Sequence, residues 1–174
     1  MSLKELTADK HTSAESTKFM KSVFDGTLDM DQWADFTYQK TLIYNGIEVS
    51  AKALGLLADL PDVERCHYLY LDYREQTGGE FKHKFNDVAI EYYKYIKSLY
   101  PDSNRILAHL YVWHMGDLFG GQMIKKIIKA PHRALDFKDP KTLMTNLRAK
   151  LTDELGEEAN VAFDWAIKLL QCYE

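Results

Sequence analysis

Apolar residues recur at three- and four-residue intervals along nearly the whole chain, and nowhere do they alternate with polar ones long enough for a half-buried strand. Phe85, Val88, Ala89, Tyr92, Ile96 and Leu99 show the pattern most cleanly, as a stripe down one helix face that ends at Tyr100-Pro101. Turn-forming residues are scarce as well. Nine Gly and four Pro among 174 residues make about 7% of the chain, against roughly 12% on average, too few turns for a sandwich of short strands. The expectation is an all-α fold, a helical bundle in one domain over residues 1–174, because no linker, repeat or low-complexity run divides the sequence.

Helical segments can be delimited along the chain. The first covers Leu3 to Glu15, after which Ser16 or Thr17 caps a short helix carrying Phe19, Met20, Val23 and Phe24 up to Gly26. A long helix starts after Asp31 and carries Trp33, Phe36, Ile43, Ile47, Ala51, Leu54 and Leu57 until Leu60-Pro61 stops it. Tyr68 to Gln76 forms a short helix closed by Gly78-Gly79, and the Phe85–Leu99 stripe follows. Ser103 caps the segment from Asn104 to Lys129, which Pro131 ends. Asp139-Pro140, an N-cap with proline at the first helical position, opens a helix expected to close near Gly156. The last helix carries Ala159, Ala162, Phe163, Ala166, Ile167 and Leu170.

Lys and Arg number 22 against 26 Asp and Glu, so the formal net charge is −4 and no broad positive field exists to attract a polyanion. A dedicated nucleic-acid binder is not expected. Cys66 and Cys172 lie far apart and form no paired motif, which implies neither a zinc site nor a disulfide framework and suits a reducing cytoplasm. The charged opening MSLKELTADK lacks the apolar core of a signal peptide. Ile106 to Ile124 carries Asp117, Gln122, two His and three Gly, and is too polar at its centre for a membrane span. The expected setting is therefore cytoplasmic, without membrane contact.

In that same stretch Gly116, Gly120 and Gly121 sit inside a helical pattern, at a cost of about 1 kcal/mol each relative to Ala. Gly116 and Gly120 are four apart and share a face, so the helix presents a strip of bare backbone on which a flat ligand or a second helix could rest. Spacing alone leaves both readings open. Two details favour a ligand: Asp117 beside the strip would be costly to bury unpaired, and Gly120-Gly121 loosens the helix enough to kink it. The candidate on the opposite wall is His11. It lies one turn from Glu15 on the same face, where the carboxylate could orient or polarise the imidazole directly or through water.

These residues carry a resemblance. His11-Thr12-Ser13-Ala14-Glu15, with Phe19-Met20 eight residues on, resembles the proximal helix of the haem oxygenases. Ala108-His109-Leu110-Tyr111, through Gly116-Asp117-Leu118-Phe119-Gly120-Gly121-Gln122-Met123-Ile124-Lys125-Lys126-Ile127, resembles their distal-helix signature, and Ala159-Asn160-Val161-Ala162-Phe163 resembles the start of the last core helix. The resemblance covers nearly the whole chain. It implies a fold that clamps haem between two helices, and an enzyme that uses O2 and reducing equivalents to open haem b to biliverdin, the IXα isomer expected, with release of CO and ferrous iron. His11 would be the axial iron ligand and Asp117 the distal acid that holds a water network. Gly116 and Gly120 would let backbone approach the distal face of haem, leaving room for only a small iron-bound diatomic. Lys4, Tyr111 and Arg148 would meet the propionates, Arg148 with a fork suited to a carboxylate, and Glu15, Gly121 and Phe163 would complete the haem contacts.

The sequence also departs from the family pattern. Trp113 stands where many members carry arginine, Phe119 replaces a usual serine, Ile47 a distal tyrosine, and Ala166 a common asparagine. A drier distal network that leans on Asp117 and ordered water is the expectation. Two other function classes compete. A non-catalytic haem carrier or sensor would keep His11 and the glycine strip. A di-iron carboxylate oxidase would use the tetrads Glu64-Arg65-Cys66-His67 and Glu80-Phe81-Lys82-His83, with Glu48 and Glu91 as further acids. Because no nucleotide-binding fingerprint appears, the electron donor should be a separate protein, by expectation a ferredoxin. Lys10, Lys18, Lys21, Lys125, Lys126, Lys129 and Arg148 flank the two haem helices and could form a basic face for it. A downstream bilin reductase would be a further partner, which nothing in the sequence tests.

Overall fold

A computed structural model describes residues 1–174. It holds eight α-helices: α1 (Leu3–Glu15), α2 (Lys18–Asp25), α3 (Met30–Ala53), α4 (Cys66–Gln76), α5 (Asp87–Ser98), α6 (Ser103–Ile127), α7 (Pro140–Lys150) and α8 (Gly156–Leu170). Short 3-10 turns occupy Arg133–Leu135, Asp153–Leu155 and Gln171–Tyr173, and no strand is present. The all-α expectation is met.

Local chemistry sets the helix ends. Ser2 and Glu5 form a reciprocal capping box on α1, the Ser2 amide donating to the Glu5 carboxylate at 2.7 Å and the Glu5 amide to the Ser2 hydroxyl at 3.3 Å. Thr17 caps α2, and Gly26 ends it at φ 72°. Other boundaries differ from the sequence reading. Asp29 accepts the amides of Asp31 and Gln32, which starts α3 before Asp31 rather than after it. That helix ends at Ala53, because Gly55 adopts φ 75° and the amides of Gly55 and Leu56 turn back to the carbonyls of Lys52 and Ala51. Leu57 thus lies in the turn, and Pro61 is not the stop. Phe85 precedes α5 and stacks on Tyr38, ring centroids 4.4 Å apart. Asp102 rather than Ser103 caps α6, and Gly156 opens α8 instead of closing α7, which ends at Lys150. The kink expected at Gly120-Gly121 does not break α6, which continues as α-helix to Ile127.

The core joins α3, α5, α6 and α8 through Ile43, Ile47, Tyr92, Ile96, Ile106, Leu110, Ala159 and Leu169, all fully buried. Each large aliphatic side chain taken from water contributes roughly 1.5–3 kcal/mol, so this slab sets the stability of the fold. The buried guanidinium of Arg65 ties the turn after α3 to a more distant loop. It donates to the carbonyls of Asp62 (2.6 Å) and Asp136 (2.9 Å) and lies between the rings of Tyr68 and Phe137. Asp72 holds the neighbouring Arg133 and Ala134 amides at 3.0 Å each, which fixes the 131–135 segment against α4.

By contrast, α1 buries only Leu3 and Thr7. It docks on α8. Gly156 lets Leu6 approach, for a Cβ there would fall 2.9 Å from Leu6 Cδ1. Asn160 Nδ2 donates to the Leu6 carbonyl at 3.1 Å, Lys10 pairs with Asp164 at 2.6 Å, and the His11 ring stands edge-on to Phe163 with centroids 5.9 Å apart. These contacts advance turn by turn along both helices and so determine where His11 sits. No helix is long and apolar enough to cross a membrane.

Candidate functional site

One cavity draws on α1, α2, α3, α4, α6, α8 and the 131–135 segment. It brings His11 and Glu15 of α1 together with Gly116, Asp117 and Gly120 of α6 and Phe163 of α8. His11 is exposed, and its Nε2 lies 3.5 Å from Glu15 Oε1, one turn on. The α6 wall is open at its glycines, for a Cβ placed on Gly116 or Gly120 would meet no atom within 4 Å. Gly121 differs. A Cβ there would fall 2.7 Å from Leu135 Cδ2, so this third glycine lets the Arg133–Leu135 turn dock on α6 and does not line the cavity. The three glycines therefore divide: Gly121 serves close packing, and nothing packs against Gly116 or Gly120.

Asp117 is a buried acid on the α6 wall of the site, and the partners it needs come from α3. Lys40 Nζ lies 3.1 Å from Oδ1, and the Tyr44 hydroxyl donates to Oδ2 at 2.5 Å. Lys40 and Tyr44 are i and i+4 on α3, so both reach α6 from one face. The ammonium also sits over the rings of Phe36 and Tyr44, at 5.5 and 5.1 Å from their centroids. Burial, reinforced by the Asp117 charge, pushes the Tyr44 phenol well above its ordinary pKa and keeps it a donor. Ile47 is core, and the hydroxyl it was expected to lack is supplied one turn earlier by Tyr44. Asp117 is thus held by protein groups of α3. A lysine within the apolar pattern of α3 was the signal in the sequence; its partner was not.

The other expected positions divide. Trp113 and Ala166 line the cavity. Phe119 is exposed outside it, with the Arg148 guanidinium 5.1 Å from its ring centroid. Lys4 and Arg148 are exposed and Tyr111 is half-buried, and none of the three lines the cavity. In the basic set, Lys10 is paired with Asp164 and Lys125 with Asp136 at 2.8 Å, whereas Lys18, Lys21, Lys126, Lys129 and Arg148 form no ion pair.

The two E-x-x-H tetrads do not converge. Glu48 accepts from the Arg65 amide (2.7 Å), the Cys66 amide (3.1 Å) and pairs with His114 Nε2 (2.7 Å), which consumes it as the cap of α4. His83 is engaged by Tyr73 and Asp31. No three His, Cys, Asp or Glu side chains come together as a metal site, and the di-iron reading falls on that geometry.

Comparison with known proteins identifies the family. The family model described as Heme oxygenase matches residues 1–144. A haem oxygenase of Rhodella violacea is 26% identical over 98% of this chain and 85% of its own length, and haem oxygenase 1 of Synechocystis sp. is 23% identical over 96% and 81%. Among solved structures, haem oxygenase-1 of Synechocystis sp. PCC 6803 in complex with haem superposes with a TM-score of 0.86 at 22% identity, covering 99% of this chain and 90% of that one. The haem oxygenase of Leptospira interrogans gives 0.84 at 22%, covering 97% and 96%. With the family's model running from its first residue to residue 144, the chain belongs to the haem oxygenase family.

Proposed function

We propose that this protein cleaves haem b with O2 and reducing equivalents to biliverdin, CO and ferrous iron, with the IXα isomer as product. The observation that carries the reading is a single cavity with a histidine on one wall and bare helix backbone beside a buried, paired acid on the other. The residues present fit the group. Gly116 and Gly120 leave a flat, side-chain-free surface, and the His11 imidazole on α1 would hold the iron.

Bound haem supplies both an iron that takes O2 and the ring carbon that is oxidised. The protein's share is positional and protonic. His11 holds the group against α1, with Glu15 beside the ring as its orienting acid. Gly116 and Gly120 exclude bulk from the distal side, so that only a small molecule fits there. Asp117, anchored by Lys40 and by the Tyr44 hydroxyl behind it, keeps a carboxylate and an ammonium at fixed positions beside that space, where proton placement decides how oxygen reacts. Phe36, Trp113 and Ala166 make the adjoining walls apolar. Lys4, Tyr111 and Arg148 are proposed to meet the propionates at the rim.

A separate protein, proposed to be a ferredoxin, delivers the electrons. The unpaired Lys18, Lys21, Lys126, Lys129 and Arg148 support an acidic donor, and a bilin reductase would take the product onward. The proposed setting is cytoplasmic, which suits two free cysteines. The test is turnover of the haem complex with a ferredoxin system and chromatography of the products. Biliverdin IXα is expected, and His11→Ala should lose the histidine-ligated spectrum. Haem that stays bound and uncleaved would overturn the enzyme reading in favour of a carrier or sensor.

A further inference from the structure

Between the cavity and the α5–α8 surface runs a buried hydrogen-bond chain whose direction can be read from donor chemistry alone. Trp113, on the cavity wall, can only donate through Nε1, and does so to Tyr92 Oη at 2.8 Å. Tyr92 must then place its own proton elsewhere, and His109 Nδ1 lies 2.6 Å away. Nδ1 is therefore the acceptor, and the ring proton of His109 is on Nε2. That nitrogen has no hydrogen-bond partner and faces Glu158 Oε2 at 3.8 Å. Tyr92 and His109 are both fully buried, and burial lowers the His109 pKa, so the imidazole rests neutral and ready to accept.

The far end of the chain is arranged for charge. Glu158 accepts from Tyr95 at 2.8 Å and from Arg105 Nε at 2.7 Å. Burial raises its pKa, but the nearby His109 ring and the hydrogen bonds from Arg105 and Tyr95 outweigh this and bring it to about 2. Outward from Tyr92, the indole of Trp165 lies parallel to the phenol ring, 6° between planes and 5.2 Å between centroids, and Lys168 Nζ is 4.8 Å from the Trp165 ring on the solvent side.

We propose that Tyr92 is a proton-coupled redox site which, with Trp113 and His109, carries an oxidising equivalent out of the haem cavity. The inference rests on haem occupying that cavity. The oxidant class is a peracid or organic hydroperoxide, which transfers its terminal oxygen atom at the iron and leaves as the carboxylic acid or alcohol, a two-electron reduction. One electron comes from the iron and one from Tyr92 by way of Trp113. The Tyr92 phenolic proton moves to His109 Nδ1, leaving a neutral phenoxyl beside an imidazolium whose Nε2–H faces the Glu158 carboxylate. No charge is left unpaired in the core, which a tyrosine without a basic neighbour could not achieve.

The experiment mixes haem-loaded protein with m-chloroperbenzoic acid, freezes it, and records the EPR spectrum, with haem binding checked beforehand from the Soret band. A tyrosyl radical is expected in the parent protein, its hyperfine pattern narrowing when the protein is grown on ring-deuterated tyrosine. It should be lost in Tyr92→Phe and diminished in Trp113→Phe. The same tyrosyl signal in haem-loaded Tyr92→Phe, or no tyrosyl signal in the haem-loaded parent, would overturn the proposal alone. Should Tyr92→Phe not fold, an undiminished signal in Trp113→Phe refutes the route. A parent protein that takes up no haem would overturn the haem reading and this proposal together.

Discussion

Replacing Gly116 or Gly120 with alanine should stabilise the haem-free protein while weakening its hold on haem. A Cβ at either position meets no atom within 4 Å, and both residues lie inside α6, so nothing offsets the gain in helix propensity. That gain is about 1 kcal/mol per site, which for a chain of this size raises Tm by roughly 2–4 °C, and about twice that for the double variant. The methyl that is harmless in the open cavity then stands where haem needs bare backbone. Gly121→Ala is the internal control. Its Cβ would fall 2.7 Å from Leu135 Cδ2, and overpacking of about 1–3 kcal/mol cancels or exceeds the same propensity gain, with little change in haem affinity. Thermal melts followed by circular dichroism give the stability changes, and Soret titrations give the affinities. The reasoning is refuted if Gly116→Ala or Gly120→Ala lowers Tm, or if Gly121→Ala is the variant that costs haem affinity.

Lys40→Met should destabilise the protein by about 3 kcal/mol, because it leaves the buried Asp117 carboxylate with Tyr44 alone; adding Asp117→Asn should recover part of the loss in urea unfolding, and a Lys40→Met protein as stable as its parent would sink the pairing. Glu158 should shape the acid limb of stability. Its folded pKa of about 2 lies below the ordinary 4.5, so its contribution is fully present above pH 4.5 and is lost as pH falls towards 2. Glu158→Gln should flatten stability against pH over that window, and an unchanged acid limb would count against the Arg105–Glu158–His109 cluster.

Local order was legible because local chemistry decides it. The capping box of α1, the threonine cap of α2 and the proline at the start of α7 all act within a few residues of the groups they satisfy. Competition between stop signals was less legible. At the end of α3 a glycine able to take a positive φ closes the helix before Pro61 can matter, and Gly156, read as a stop, is instead the gap that admits Leu6. Side-chain pairs between helices distant in sequence were out of reach. Asp117 was identified as an acid needing a partner, but Lys40 and Tyr44 come from a helix more than seventy positions earlier, and only the α3–α6 packing brings them together. Trp113 likewise read as a lost arginine, when its indole nitrogen opens a polar chain through Tyr92 and His109.

The shallow burial of α1 has a thermodynamic consequence. A segment that places only Leu3 and Thr7 in the interior separates from the rest at a smaller free-energy cost than global unfolding, whereas α6 can open only with the core. A ligand bridging His11 to the α6 glycines couples these two unequal units, and its binding free energy adds to the weaker one. Haem would thus be a structural member of the fold as well as its substrate. Each completed cleavage would remove the bridge, returning α1 to its lower intrinsic stability at the moment the products must leave.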